Sequence, residues 1–215
     1  MIKAVIFDHD GVIADTEPIH FKADNIVLSM FGYGIGASEN ESLVGISTKK
    51  SWEIFREMFK IPEEVDYLVQ EKTRVAVEIL GKEGIKPNEG LLQLLEKLKS
   101  SGYSLAIASG QYRKVIDAVL TKLKIASYFS VIVSGEETAK GKPSPELFLT
   151  AAKRLNMNPE ECAVIEDSES GVLAAKAAGM LCVALKMPST ASHDITAADK
   201  IVSSLSEITM EDFQR

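Results

Sequence analysis

Two aspartates, Asp8 and Asp10, follow the apolar run 4–7 directly and have one residue between them. A strand that ends this way places like charges close together and removes water from both of them. Such a pair destabilises a fold unless a cation or a proton compensates the charge. The spacing therefore indicates a cation or a shared proton at this end of the strand.

Short β-rich runs alternate with amphipathic stretches, which is typical of a parallel sheet with crossover helices. Most of the runs are continuously apolar, so we expect strands that are buried on both faces. The predicted strands are 3–7, 104–109, 130–134, 162–166, 181–185 and, more weakly, 200–204, and the predicted helices between them are 90–102, 113–123, 145–156 and 170–179. The fold class predicted is α/β, with a Rossmann-like parallel-sheet core.

The segment 16–80 interrupts this alternation because it contains no convincing strand. It consists of three helical patterns instead, at 19–32, 49–60 and 63–80. We predict a small all-helical cap domain over 16–80, inserted after the first strand, and an α/β catalytic core formed by 1–15 and 81–215. Such an insertion lies over the carboxyl ends of the strands, where α/β sheets bind ligands.

Polar residues also follow the other predicted strands. Ser109 and Gly110 end the second strand, Glu166 and Asp167 end the fourth, and Lys142, after the third, is predicted to open a helix. Because the carboxyl ends of parallel strands share one edge of the sheet, we expect all of these side chains in a single crevice.

This inventory predicts phosphate chemistry. Carboxylate oxygens without histidine or thiol ligands suit Mg²⁺, which would also neutralise the paired aspartates. Ser109, Gly110 and Lys142 can hold a phosphate through a hydroxyl, backbone amides and a point charge. One carboxylate can then attack phosphorus to form an aspartyl phosphate. The second aspartate of the pair can protonate the leaving oxygen and later deprotonate the attacking water.

These residues match four motifs of a known family. The motifs are Asp8-His9-Asp10-Gly11-Val12, Ser109, Lys142 in GKPSPELF, and Glu166-Asp167-Ser168 in EDSESGVLAAKAAG. With the helical insertion, the chain resembles the haloacid dehalogenase (HAD) superfamily of phosphotransferases, and within it the β-phosphoglucomutase-like phosphatases.

The resemblance implies roles for the acidic residues. Asp8 would be the nucleophile and Asp10 the general acid/base. Mg²⁺ would be held by the Asp8 carboxylate, the Asp10 main-chain carbonyl and Asp167, with Glu166 in or next to its coordination shell. Lys142 would bind the phosphoryl group together with the hydroxyl after the second strand.

The resemblance also implies substrate contacts in the cap. His20 and Lys72 match cap residues of the β-phosphoglucomutases, and the run 43–48, which contains Gly45, resembles their substrate-contacting loop. Thr16 begins one predicted hinge, and the other hinge lies near 80–88, so that the cap can close over the crevice.

Phosphatase and mutase remain alternatives at this point. The mutases grip a distal phosphate with an arginine at the position of Thr48. Lys49 or Lys50 could substitute, although a lysine lacks the bidentate grip of an arginine. We therefore predict a Mg²⁺-dependent phosphatase of small, sugar-phosphate-like metabolites. The alternatives are a β-phosphoglucomutase, which interconverts β-glucose 1-phosphate and glucose 6-phosphate, and a non-catalytic phosphate-binding protein.

The composition excludes several other classes. A net charge of −7 without a Lys/Arg block argues against an extended nucleic-acid surface. No apolar run approaches the roughly 18 to 20 residues that span a bilayer, and the N-terminus turns acidic too early for a secretory signal. Cys162 and Cys182 lie in apolar runs and are predicted to be buried, reduced thiols. We expect a cytoplasmic monomer with a small-molecule substrate and no membrane partner.

Overall fold

A six-stranded, wholly parallel sheet forms the centre of the computed structural model, which describes residues 1–41, 43 and 46–214. Its strands lie in the order β3-β2-β1-β4-β5-β6. Their bounds are β1 Ala4–Phe7, β2 Ser104–Ala108, β3 Val131–Val133, β4 Cys162–Glu166, β5 Leu181–Leu185 and β6 Lys200–Val202. The α/β fold class and all six predicted strands are confirmed.

The register of the central strands brings their carboxyl ends level. Phe7 at the end of β1 pairs with Ile107 of β2 on one side and with Ile165 of β4 on the other. The next residue, Asp8, continues the pairing, because its backbone N–H donates to the Ile165 carbonyl at 2.9 Å. The residues that follow β1, β2 and β4 therefore meet at one edge of the sheet.

Helices cover both faces of this sheet. They are α5 Leu91–Ser100, α6 Arg113–Leu123, α7 Glu146–Arg154 and α8 Glu169–Ala177. Alternate residues of β1 enter different cores: Val5 and Phe7 pack in the cluster that contains α5 and α6, whereas Ala4 and Ile6 pack in the cluster that contains α7 and α8. The continuous apolar runs thus reflect strands that are buried on both sides.

The segment between β1 and β2 is helical. It contains α1 Glu17–Ser29, α2 Ala37–Glu41, α3 Thr48–Phe59 and α4 Val65–Glu83, with no strand among its described residues. Helix α2 does not follow from the sequence pattern, because the short acidic sequence ASENE has no apolar periodicity. The predicted domain boundary between residues 80 and 81 falls inside α4. The helical insertion is confirmed, and its exact division from the core stays a prediction.

One predicted helix start is wrong. Lys142 does not open a helix, because a short 3₁₀ turn at Gly135–Glu137 follows β3 and α7 begins only at Glu146. Pro143 and Pro145 each disfavour the helical conformation in the residue before them. Lys142 therefore lies in the turn before α7, in which the Ser144 backbone N–H donates to the Gly141 carbonyl at 3.0 Å.

The two cysteines are buried and make no disulfide. Burial raises the pKa of the Cys162 thiol to about 11 and that of the Cys182 thiol to about 12, which keeps both protonated at neutral pH. In the part of the chain that the structure describes, no helix is both long enough and apolar enough to cross a bilayer.

Candidate active site

Lys142 lies between two carboxylates at the sheet edge. Its ammonium donates to Asp8 Oδ1 at 2.5 Å and to Glu166 Oε1, the two carboxylates are buried, and the Lys142 side chain is 9% exposed. Burial alone would lower the pKa of Lys142, but the charges of Asp8 and Glu166 outweigh it and raise that pKa above its usual value. The ammonium is therefore a fixed positive charge at the end of β1.

Asp8, Glu166 and Asp167 form an acidic cluster. One oxygen atom from each lies within 4.8 Å of those of the other two. Burial raises the pKa of Asp8 to about 7, with Lys142 opposing the shift. Burial, with the nearby charges of Glu166 and Asp8, also raises the pKa of Asp167 well above its usual value. An all-oxygen donor set in which the charged forms of Asp8 and Asp167 are disfavoured fits a hard divalent cation such as Mg²⁺.

Two glycines allow the backbone to approach these carboxylates. Gly11 has φ +77°, and a Cβ on it would lie 2.1 Å from Asp167 Oδ2. A Cβ on Gly171, in the first turn of α8, would lie 1.8 Å from Glu166 Oε1. The loop after β1 and the start of α8 can close around the cluster only because both residues lack a side chain.

Glu166 is held by the start of α8. Its Oε2 accepts from the backbone N–H of Asp167 at 2.8 Å, from the backbone N–H of Ser168 at 2.9 Å and from the Ser168 hydroxyl at 3.0 Å. Its other oxygen accepts from Lys142. Since both oxygens have protein donors, Glu166 orients Lys142, while Asp8 and Asp167 are the carboxylates better able to face an ion.

The loop after β2 supplies hydrogen-bond donors beside Asp8. Ser109 is buried, and its Oγ accepts from the backbone N–H of Gln111 at 3.1 Å, which leaves the hydroxyl hydrogen to be donated elsewhere. Gly110 lies against the helical insertion, since a Cβ there would be 3.9 Å from Ser47. A Cβ on Gly135 would meet the Gly110 carbonyl oxygen at 2.2 Å, so the loop after β3 packs directly on this one.

Asp10 points toward α1. Its Oδ1 accepts from His9 Nδ1 at 3.0 Å, from His20 Nε2 at 3.0 Å and from the Thr16 hydroxyl. Burial alone would raise the pKa of Asp10, but the imidazoles of His9 and His20 hold it well below its usual value. The arrangement stabilises the ionised carboxylate, the form that accepts a proton.

Lys72 of α4 contacts the far side of His20. Its ammonium lies 3.2 Å from His20 Nδ1, and both side chains are buried. An ammonium can only donate, so His20 Nδ1 accepts and Nε2 carries the proton that faces Asp10. Three of the predicted cap residues, Thr16, His20 and Lys72, are thus brought to Asp10.

Lys49 and Lys50 lie away from Asp10. Gly45 lies outside the described residues. Lys49 and Lys50 are exposed at the start of α3, where Lys49 pairs with Asp66 at 2.9 Å and Lys50 pairs with Glu53 at 3.0 Å. Both lysines line the mouth of the crevice, but neither reaches its floor.

Two residues that contact Asp10 are missed by sequence reasoning. His9 stands inside the first motif, where the sequence suggests only a spacer, although its imidazole is buried beside Asp10. Gln111 follows Ser109 by two residues and donates from its side chain to Asp10 Oδ2 at 3.3 Å. Proximity to a motif is a signal for both. His9 contacts the next residue along the chain, whereas 101 positions separate Gln111 from Asp10.

Asp10, His20 and Gln111 line one crevice of about 1920 Å³ between the helical insertion and the sheet edge. The core contributes Asp8, Ser109 and Lys142, and the insertion contributes Thr48 and Lys72. A cavity of this size accommodates a small organic substrate together with water. The arrangement can position an anionic group beside a carboxylate nucleophile.

Comparisons with known proteins agree with this geometry. The family model described as haloacid dehalogenase-like hydrolase matches residues 5–185. The chain is 36% identical over 183 residues to the phosphorylated carbohydrates phosphatase of Thermotoga maritima, covering 83% of this chain and 82% of that protein. It is also 36% identical over 218 residues to the β-phosphoglucomutase of Bacillus subtilis, covering 98% and 93% of the two chains.

A crystal structure of CbbY from Rhodobacter sphaeroides in complex with xylulose-(1,5)bisphosphate has the same fold, with a TM-score of 0.94, 26% sequence identity and 99% of each chain covered. The family match extends from β1 through β5 and includes the whole helical insertion. The chain therefore belongs to the haloacid dehalogenase-like hydrolases, and it is an enzyme of the phosphoric monoester hydrolase or closely related phosphoglucomutase type.

Proposed function

We propose that the protein is a Mg²⁺-dependent phosphatase that hydrolyses small phosphorylated metabolites, of the sugar-phosphate kind, through an aspartyl phosphate on Asp8. The observation that carries the proposal is the Asp8–Lys142 ion pair in the crevice. It combines a carboxylate nucleophile with a fixed positive charge. The relatives that act on phosphorylated carbohydrates support the substrate class.

Binding of the phosphoryl group would use the donors beside Asp8. The Ser109 hydroxyl has a hydrogen to donate, and the Lys142 ammonium can withdraw charge from a phosphoryl oxygen. Gly110 has no side chain, so its backbone would approach the phosphoryl group closely. These groups would orient the phosphorus toward the Asp8 carboxylate.

The residues that would hold Mg²⁺ are Asp8, Asp167 and the main-chain carbonyl of Asp10, with Glu166 next to them. When bound, the ion would offset the charge of the cluster and of the phosphoryl oxygens. The raised pKa values of Asp8 and Asp167 support this assignment, because they express a need for compensating positive charge.

The reaction would proceed in two displacements at phosphorus. An Asp8 oxygen forms a bond to phosphorus while the ester P–O bond breaks, and Asp10 gives a proton to the departing oxygen. Because the resting Asp10 is the ionised carboxylate, it would take up that proton from solvent before this step. In the second displacement a water oxygen bonds to phosphorus, the bond to Asp8 breaks, and Asp10 takes the proton of the water. The products are the alcohol and inorganic phosphate, and both aspartates return to their starting forms.

A β-phosphoglucomutase is the second candidate. It is supported by the Bacillus subtilis relative and by the buried Lys72–His20 contact. Against it, Thr48 is buried with its hydroxyl donated to Gln111, and Lys49 and Lys50 are paired at the surface. A mutase must grip a second phosphate, and these contacts supply no such grip at the floor of the crevice.

The deciding experiment supplies β-glucose 1-phosphate and a bisphosphate primer with Mg²⁺ and follows inorganic phosphate and glucose 6-phosphate in one tube. A panel of sugar monophosphates is assayed for phosphate release beside it. Phosphate release without isomer supports the phosphatase. Rapid formation of glucose 6-phosphate with little phosphate would establish the mutase instead.

We further propose that the enzyme is a cytoplasmic monomer. The acidic net charge and the buried thiols support this. Light scattering after gel filtration would test the monomer, and fractionation of cells that express the tagged protein would test the location.

A further inference from the structure

Gln111 bridges the helical insertion and Asp10. Its Oε1 accepts from the Thr48 hydroxyl at 2.8 Å, across the crevice, while its Nε2 donates to Asp10 Oδ2 at 3.3 Å. Gln111 and Thr48 are both buried, and Thr48 is the first residue of α3. One carboxamide thus contacts both the start of α3 and the predicted acid/base.

The orientation of this carboxamide is set by its surroundings. Its Oε1 also accepts from the backbone N–H of Tyr112 at 3.4 Å. Rotating the amide by half a turn would place its oxygen against the Asp10 carboxylate and its NH₂ against that N–H. Gln111 Nε2 also lies 3.0 Å from His20 Nε2, a contact between two donors that by itself favours the rotated form, but the ionised Asp10 carboxylate and the Tyr112 N–H both oppose the rotation.

The two Asp10 oxygens accept hydrogen bonds from different parts of the molecule. Oδ1 accepts from His9, Thr16 and His20, which precede or belong to α1. Oδ2 accepts from Gln111. The rotation of the carboxylate about its own axis is therefore controlled by Gln111, and the position of Gln111 is in turn controlled by Thr48.

We propose that Gln111 is a positioning residue that couples the seating of α3 over the crevice to the orientation of the Asp10 carboxylate. When Thr48 is seated, its hydroxyl anchors the carboxamide, and Asp10 is held at both oxygens. When Thr48 is withdrawn, the carboxamide loses its anchor, and Asp10 is held at Oδ1 alone. The inference rests on the proposed function in one respect, because it takes Asp10 to be the acid/base.

The test is a double-mutant cycle with Thr48→Val, Gln111→Met and the combined variant. Each keeps the approximate side-chain volume and removes one end of the bridge. Single-turnover release of the leaving group is measured with the sugar phosphate that the enzyme turns over fastest and with p-nitrophenyl phosphate. Thr48→Ser, which keeps the hydroxyl, is the conservative variant. Ser51→Ala, which removes a hydroxyl that donates to the Ser47 carbonyl at the start of the same helix, is the control.

We expect each single substitution to slow release from the sugar phosphate about tenfold, because its alkoxide needs a correctly aimed proton. The combined variant should be no slower than either single variant, since both disable one bridge. Release of p-nitrophenolate, which leaves without a proton, should change less than about twofold. Thr48→Ser and Ser51→Ala should keep the native rate, and KM should change less than kcat.

Three results would each overturn the inference: losses that multiply in the combined variant, equal losses with both substrates, or a Thr48→Ser variant as slow as Thr48→Val. Melting temperatures of all variants, measured first, separate misfolding from mispositioning. Absence of turnover by the unmodified enzyme would instead reject the proposed function. The two failures are therefore distinguishable.

Discussion

The ammonium of Lys142 lies 2.5 Å from Asp8 Oδ1, although 134 residues separate them in the chain. The same ammonium donates to Glu166, so one cation joins the ends of β1 and β4 from a loop that follows β3. Both carboxylates are buried and the Lys142 side chain is only 9% exposed, so each group depends on the others for charge compensation.

Replacing Lys142 with Met should affect both stability and activity. Two buried carboxylates would lose their cation, so the free energy of unfolding of the metal-free protein should fall by about 3 to 5 kcal/mol. Phosphate release should fall by about 10²- to 10³-fold, through loss of charge stabilisation. Denaturant unfolding in EDTA and a phosphate assay measure these effects. Lys140→Met, in the same loop but exposed, should change neither.

Asp8→Asn should lower the activity and raise the stability of the metal-free protein. Removing the nucleophile should lower turnover by at least about 10⁴-fold and abolish acid-stable labelling of the protein by ³²P-substrate. Because burial raises the pKa of Asp8, removing its charge should raise the melting temperature of the metal-free protein. Exposed Asp15→Asn is the matched control. A variant that kept normal turnover would refute the aspartyl phosphate.

The acidic cluster should make the stability of the metal-free protein fall as the pH rises. Asp8 has its pKa raised from 3.8 to about 7, so between these values the unfolded chain loses a proton that the folded chain keeps. Its contribution to stability is fully present below 3.8 and is lost as the pH rises through about 7. In EDTA, the melting temperature should therefore fall less steeply with rising pH in Asp8→Asn than in the native chain.

Mg²⁺ should counter this loss, because the ion binds the ionised carboxylates of the folded protein. The increase in melting temperature on adding Mg²⁺ should be larger at about pH 8 than at about pH 5. Equal increases at both pH values would contradict the assignment of Asp8 and Asp167 to a cation.

Gly171→Ala should displace residues of the site, although Gly171 itself takes no part in the proposed chemistry. The added Cβ would overlap the Glu166 carboxylate, so α8 or Glu166 must shift and Lys142 with it. We expect a loss of about 1 to 3 kcal/mol in stability and at least a tenfold loss of activity. Gly81→Ala is the control, because a Cβ there meets no atom within 4 Å and alanine favours helix α4 by about 0.5 to 1 kcal/mol. Thermal unfolding and phosphate release compare the two variants.

The sequence by itself determined the sheet, most of the helices and the strand ends at which the polar residues gather. Doubly buried strands must be continuously apolar, and parallel strands must end at one edge, so the strand pattern alone places Asp8, Ser109 and Glu166 together. The short helix α2 escapes such prediction because its five residues contain no apolar repeat.

Only the tertiary structure decided which groups touch. The sequence predicts Lys142 at a helix start, yet it reaches Asp8 from a turn that precedes α7. Gln111 carries no signature of its own, because a carboxamide becomes a bridge only where Thr48 of a distant helix meets it. Periodicity and composition encode burial and element type, whereas hydrogen bonds between remote side chains depend on distances that exist only after the elements have packed.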